Sequence, residues 1–469
     1  MTESLQILKT SLRRHRMFSS LSVGLMVFGL LTTPPIVAAG QAVSAGQVTF
    51  TKDIAPLLQR SCQGCHRPGG MAPMPLLTYA DARPWARAIK RRTSQREMPP
   101  WFIERNIGIQ KFKDDPSLSD AEIAKIATWA DSGAPQGNPA DMPPARAFAD
   151  ATEWSFGKPD LVVSSPVVSV KAVSPDWQSD IAPLVPLGLT EDRYIKAVQV
   201  REVRLGERAV EGAAAAPRAA LNISVLHHAV IQARTEFDPE SEDPNSPVGR
   251  RGGDFTLTHE LGQNATIYPD DLGVPLRAST FLSFRVHTHA TGKDVDVRLE
   301  VGFKLHPKGY KPKYVVQGGS SMANHDLDIP AGEDNVRVDA YTVLKTPAKF
   351  MTFEPHMHAS GKRMCVHAIF PSGIRQTLNC AGYNHNWVKV YVYEDDAAPL
   401  LPAGTIVHVV GWYDNSARNP RNVEPRNWKG FGNRSIDDMM FNLGKYVSLT
   451  EEEFKIELAA RKARRSSSN

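Results

Sequence analysis

Between residues 161 and 413 the sequence is cut into short β-branched and aromatic runs, at 161–170, 194–203, 223–233, 281–287, 295–303, 336–343, 349–356, 364–370 and 405–413, each bounded by turn residues. Runs this short cannot bury themselves singly, and their spacing predicts antiparallel strands packed face to face. The pattern fills 159–449, well beyond the roughly 100 residues of one such sandwich. A break at Gly318-Gly319-Ser320-Ser321 divides it into 159–320 and 321–449. The expected fold is multidomain: a small all-α domain at 46–135, a flexible linker at 136–158 dense in Pro, Ala, Gly and Asp, two antiparallel β-sandwich domains of jelly-roll type, and a charged, helical tail at 450–469.

Residues 1–45 follow another logic. Arg13-Arg14-His15-Arg16 leads into the apolar run 17–31, then Pro34-Pro35 and Val37-Ala38-Ala39: the basic head, short apolar middle and small-residue end of an export signal. The run falls short of the ~20 residues of a membrane span. A signal peptide and a periplasmic or otherwise exported chain with no membrane span are therefore expected, an uncleaved N-terminal anchor being the alternative. Four cations oppose one anion in this segment, so its removal takes the formal charge from +5 to +2. With 42% hydrophobic and 22% charged residues, the composition excludes a disordered or polytopic membrane protein, and the charge implies no nucleic-acid partner.

Residues 49–135 read as helical. Ser119-Asp120-Ala121-Glu122 is a capping box, Ile123, Ile126, Ala127 and Ala130 recur at helical spacing, and Gly133 and Pro135 supply the stop. An earlier helix, expected over 53–60, runs into Cys62-Gln63-Gly64-Cys65-His66. At this spacing two thiols form thioethers with the haem vinyl groups and the next imidazole meets the iron. Met71, Met74 and Met98 can supply the sixth ligand; Met98 is favoured because Pro99 and Pro100 hold its loop extended ahead of the capped helix. The region resembles a small class I cytochrome c, which implies one covalently bound haem c and one-electron transfer.

The 14 histidines are unevenly placed. His227-His228 share one expected strand, His287-Thr288-His289 another and His356-Met357-His358 a third. Strand alternation puts His356 and His358 on one face, whereas adjacent His227 and His228 share a face only where the strand ends, bulges or twists. His259, His306, His325, His367, His385 and His408 read as ordinary core or surface histidines. Imidazole donors beside thioether sulfur suit copper.

These segments resemble the copper type II, ascorbate-dependent monooxygenases over 159–449. Val225-Leu226-His227-His228-Ala229-Val230 is similar to the His-His strand of the family's first copper site, and Phe284-Arg285-Val286-His287 to the strand carrying its third imidazole. Pro355-His356-Met357-His358-Ala359-Ser360-Gly361-Lys362 resembles the strand of the second site, and Asp437-Asp438-Met439 the segment giving that site its thioether. The resemblance implies two coppers, one held by His227, His228 and His287 and one by His356, His358 and Met439, with Met440 and His289 as further candidates. It also implies hydroxylation of a C–H bond of a small-molecule substrate by dioxygen, across a solvent-filled gap between the sandwiches. Electrons would come from a periplasmic donor, ascorbate-like or a redox protein, relayed by the haem to the first copper. The alternative is a non-hydroxylating electron-transfer or copper-binding protein.

Two departures bear on these expectations. Glu354 stands where peptide-processing members carry an arginine, so a peptide substrate is not expected. Only Cys365 and Cys380 remain beyond the haem pair; if Ser372-Gly373 is a two-residue hairpin loop they face each other, and a disulfide is expected.

Overall fold

The computed structural model describes residues 46–68, 72–148, 153–174, 177–208, 225–234, 255–260, 265–318, 322–432, 434 and 436–467. The export signal expected at 1–45 and Met71 lie outside the described residues. Among the described residues no helix is long and apolar enough to cross a membrane.

Strands dominate the described chain. One sheet runs in the order Trp177–Pro186, Phe281–Thr288, Leu226–Arg234, Thr256–Glu260. A second holds Leu161–Ser164, Asp294–Leu305, Arg193–Arg208, Leu272–Leu276, Tyr314–Gly318, Lys445–Ser448, Ala348–Phe350 and Leu400–Leu401 in that order. Leu282, Phe284, Val286, Ile231 and Ala233 of the first meet Ile195, Leu299, Val301 and Phe303 of the second in one apolar core. A third sheet, Ile103–Gly108, Arg375–Gly382, Gly361–Ile369, Ile406–Tyr413, Val336–Val343, encloses a separate core around Met357, Met364, Tyr391 and Tyr413.

The boundary expected at 318–321 is not a clean one. Tyr314–Gly318 pairs with Lys445–Ser448, so the second sheet continues from one half into the other, and Val447 and Leu449 complete the first half's core. The run expected at 336–343 forms as Val336–Val343, while that at 349–356 is broken into Ala348–Phe350, Thr352–Phe353 and Pro355–His356, each with a different partner.

In the N-terminal region the capping box forms: the Ser119 hydroxyl accepts from the Glu122 N–H, and the Glu122 carboxylate from the Ser119 N–H, at the start of Asp120–Asp131. Phe50, Ile54, Leu58, Leu76, Ile126 and Trp129 make a small core of their own. Ala55–Ser61 and Glu451–Ser467 form as the helices expected there.

The all-α expectation for 46–135 fails at Ile103–Gly108, which is a strand paired with Arg375–Gly382 in the register Ile103↔Ala381 and Gly108↔Asn379. A Cβ on Gly108 would lie 2.0 Å from the Leu378 carbonyl oxygen, so only glycine allows this approach. Trp101 and Phe112 flank the strand, with rings 4.8 and 5.9 Å from Tyr391. Part of the stretch expected as a linker packs on the helical region. Gln59 Nε2 donates to the Pro144 carbonyl at 3.0 Å, and the Arg67 and Arg146 guanidinium groups lie over the Phe148 ring at 4.8 and 5.2 Å. Beyond it, Arg201 covers Trp154 at 3.9 Å.

Cys365 and Cys380 form the expected disulfide, as directly paired residues with Cα atoms 4.1 Å apart. The loop differs from expectation. Phe370 N–H donates to the Ile374 carbonyl and Gly373 takes a positive φ, so the turn has one more residue than expected, and a bulge between Val366 and His367 restores the register.

Because Phe112 is 5% exposed and belongs to the C-terminal core, Phe112→Ala should cost about 3–5 kcal/mol. Lys111→Ala, which removes only a solvent-exposed ion pair with Asp396, should cost less than about 1 kcal/mol. Denaturant midpoints of the two variants check both.

Candidate metal centre

Strand alternation decides which histidines meet. On Phe281–Thr288 the even-numbered Leu282, Phe284 and Val286 enter the core, which turns His287 to the opposite face. Ala229, Ile231 and Ala233 do the same on Leu226–Arg234 and send His228 to that opposite face, where it pairs directly with His287. Leu226 also returns to the core, because the register slips between His287↔His228 and Thr288↔Leu226. The slip makes His227 the bulged residue, the backbone irregularity that an adjacent His-His pair requires. The side chain of His227 lies outside what the structure describes.

In the C-terminal half Met357 is fully buried in the core and leaves His356 and His358 on the other face. The turn that follows depends on Gly361: a Cβ there would stand 2.6 Å from Met357 Cβ and 2.9 Å from the Tyr383 ring. His356 pairs with Phe441, and continuing that register places Met439 opposite His358. The fully buried Asp438 carboxylate joins the two segments, accepting from the backbone N–H of His358 at 2.8 Å and Met439 at 2.9 Å and from the N–H and hydroxyl of Ser360. Met440 is fully buried in the apolar cluster around Met357, whereas Met439, also buried, is not part of that cluster, and its carbonyl accepts from the Tyr413 hydroxyl at 2.9 Å. Of the two methionines weighed as a ligand, Met440 is thus committed to packing.

The two histidine sets meet. Ring centroids lie 4.8 Å apart for His228–His287, 5.9 Å for His228–His356, 5.8 Å for His356–His358, 5.8 Å for His358–His385 and 5.9 Å for His385–His287. The series closes on itself as a ring of five buried imidazoles. Among the described residues the two sets are in contact rather than separated by a gap, and the ring includes His385, which the sequence presents as an ordinary core or surface histidine. His385 escaped the sequence reading because it stands alone on a turn, without a neighbouring histidine or strand periodicity to mark it. His289 is half-buried, its N–H bonded to the Val225 carbonyl.

Imidazoles sharing one tetrahedral ion at N–metal distances of about 2.0 Å have centroids roughly 5 Å apart, close to the spacings in this ring. His358 carries the clearest sign of a ligand. Its Nδ1 lies 3.0 and 3.1 Å from the carbonyl oxygens of Arg434 and Asp437, which fixes the proton there, while its buried Nε2 has no hydrogen-bond partner. Burial holds this imidazole below its ordinary pKa, against the Asp438 charge and the two carbonyls, so the ring is neutral. As placed, no three of the described His, Cys, Asp and Glu side chains converge on one point.

At the other end of the described chain Cys62 and Cys65 are free thiols, and His66 Nδ1 lies 3.0 Å from the Met74 carbonyl, which leaves Nε2 for an iron. These features fit a covalently bound haem. Met74 packs on the helical core. Met98 instead lines a cavity of about 450 Å³ with Arg96, Trp101, Arg105 and Leu118, which neither cysteine nor His66 lines. Burial pushes the Cys65 thiol up, and the charges of Lys389 and Arg67 oppose it.

No family model matches the chain. No curated protein matches it either. Among solved structures it is similar to the PBSX exported protein XepA (8% identity, 57% of this chain and 99% of that one, TM-score 0.16). The tandem CBM22 domains of Paenibacillus barcinonensis Xyn10C follow, with 10% identity over 64% of this chain and 100% of that one and a TM-score of 0.16. At these scores the likenesses carry no argument, and the site has to be judged on its own geometry.

The other buried histidines are held by protein groups. His306 Nε2 lies 2.8 Å from the Leu272 carbonyl, and His408 Nε2 lies 2.6 Å from Asp339 under the Tyr341 ring. His367 faces His408, and burial, with Arg375 and His408 nearby, lowers its pKa to about 4. The unfolded chain therefore binds this proton before the native one does, and stability falls as the pH drops from about 6.5 towards 4. His367→Gln should lose less stability between pH 7 and 5 than wild type, as read by thermal melts. Asp438→Asn, which weakens the acceptor for three backbone N–H groups, should destabilise by about 3 kcal/mol or more in denaturant titrations.

Proposed function

We propose that the chain is an exported oxidoreductase that holds a c-type haem on Cys62, Cys65 and His66 and copper on the histidine ring, and that it hydroxylates a C–H bond of a small molecule with dioxygen. The observation that carries this reading is the closed ring of five buried imidazoles, drawn from both halves of the chain, with the backbone of Met439 tied through Asp438 to that of His358. Imidazole with thioether is a donor set for copper, and the weak thioether favours the reduced metal. Copper so held supplies one-electron chemistry with dioxygen.

The protein's own contribution is orientation. Carbonyls of Arg434 and Asp437 fix the His358 tautomer, Asp438 ties Met439 to the His358 backbone, and direct cross-strand pairing puts His228 on one face with His287. The helical region 49–135 is read as the cytochrome c domain, with Met98 as sixth ligand of the iron. Its strand Ile103–Gly108 pairs with Arg375–Gly382 of the third sheet, so a haem held on this region would be tethered to the rest of the chain, which favours internal electron relay over diffusional delivery. The Cys365–Cys380 disulfide supports an oxidising compartment. An ascorbate-like reductant or a small redox protein would supply the electrons.

A second reading, a non-hydroxylating electron-transfer or copper-binding protein, draws on the His228–His356 contact, which leaves no room for a substrate between those rings. Metal analysis with a haemochrome assay should find one covalent haem and about two coppers per chain. His356→Ala and Met439→Ala should each weaken one copper by at least about tenfold, taking the effect of disturbing a metal site's surroundings as a lower bound. Oxygen uptake coupled to a hydroxylated product separates the enzyme from the second reading; haem without stoichiometric copper would overturn the enzyme and leave only an electron-transfer protein.

A further inference from the structure

We infer that His385 is a metal ligand of this centre, coordinating copper beside His356 and His358; the inference rests on the copper reading above and deepens it. His385 is 7% exposed and closes the ring between the two sets, 5.8 Å from His358 and 5.9 Å from His287 by ring centroids. These separations match those of His356–His358, at 5.8 Å, and His228–His356, at 5.9 Å. By geometry alone His385 is no less a member of the site than the residues that the sequence nominates.

The turn carrying it is built to hold a side chain still. The Asn384 side chain accepts from the Asn386 N–H at 3.1 Å, and its carbonyl accepts from the Trp387 N–H at 2.8 Å, so His385 sits at the apex of a closed turn. Just before the turn, the Tyr383 hydroxyl donates to the carbonyl of Met357, the residue between the two ligating histidines. Just after it, Val388 and Tyr391 are buried in the same core as Met357. His385 is thus fixed to the His356–His358 segment from both sides, the preorganised support that a ligating imidazole needs.

The test uses the full-length chain with its haem attached, titrated with copper alone and followed by the electron paramagnetic resonance of Cu(II). His385→Gln keeps the size and polarity of the side chain, and His367→Gln controls for loss of a buried histidine elsewhere. His385→Gln should lower the affinity for one copper by at least about tenfold and alter the hyperfine coupling of that copper, with melting temperature and haem content at wild-type values. His367→Gln should leave both copper readouts unchanged. Should His385→Gln fold poorly, the hyperfine pattern of wild-type protein with 15N-labelled histidine, counted for coordinated nitrogens, decides instead: three imidazoles at the methionine-side copper support the assignment and two overturn it. Wild-type copper binding with unchanged affinity and spectrum in His385→Gln overturns the role of His385 alone. Absence of copper binding by the wild type overturns the copper reading beneath it.

Discussion

The Asp438 carboxylate sets the geometry on which the C-terminal side of the ring depends. It is fully buried, and what stabilises it there is a set of hydrogen bonds from three backbone N–H groups and one hydroxyl. Those donors belong to two segments about 80 residues apart in sequence, 358–360 and 439. A charge in this position admits few alternatives, since any shift of either segment strands a buried donor or the carboxylate itself. The positions of His356, His358 and Met439 follow from that requirement, and Gly361 and Tyr383 close the remaining freedom.

The N-terminal side is set by a different device, apolar alternation interrupted once. Every second residue of Phe281–Thr288 enters the core, and on Leu226–Arg234 the same rule holds until the bulge. Hydrophobic burial here fixes polar residues by exclusion, because a slip of one residue would turn His228 and His287 into the core and Val286 out of it. The two sides then meet because their sheets are not independent, the strand Lys445–Ser448 continuing the sheet of the first half.

What the sequence made legible follows from locality. Most strand runs, the capping box, the helices at 55–61 and 451–467 and the facing of His356 and His358 rest on neighbours within a few residues, and the structure contains them, though the runs at 161–170 and 349–356 are broken into shorter strands. The Cys365–Cys380 pair was reached through a loop one residue too short, an error that the Val366–His367 bulge cancels. What stayed hidden depends on partners far along the chain. Ile103–Gly108 is largely polar, with two positive φ values at Asn106 and Gly108, and is a strand only because Arg375–Gly382 offers an edge. His385 belongs to the ring only because its turn packs against a segment whose place is fixed elsewhere.

The pairing of Ile103–Gly108 with Arg375–Gly382 has a consequence for how the chain is made. A segment synthesised in the first quarter of the polypeptide closes a sheet whose other strands come from the last third. Until then the edge at Arg375–Gly382 has no counterpart, and the indole and phenyl rings beside Ile103–Gly108 have no core to enter. Such pairing raises contact order and slows the final docking. A chain emerging N-terminus first would hold its helical region as an early, separately packed unit that waits for the rest, and the last event of assembly would be the one that brings that region to the histidine-bearing half.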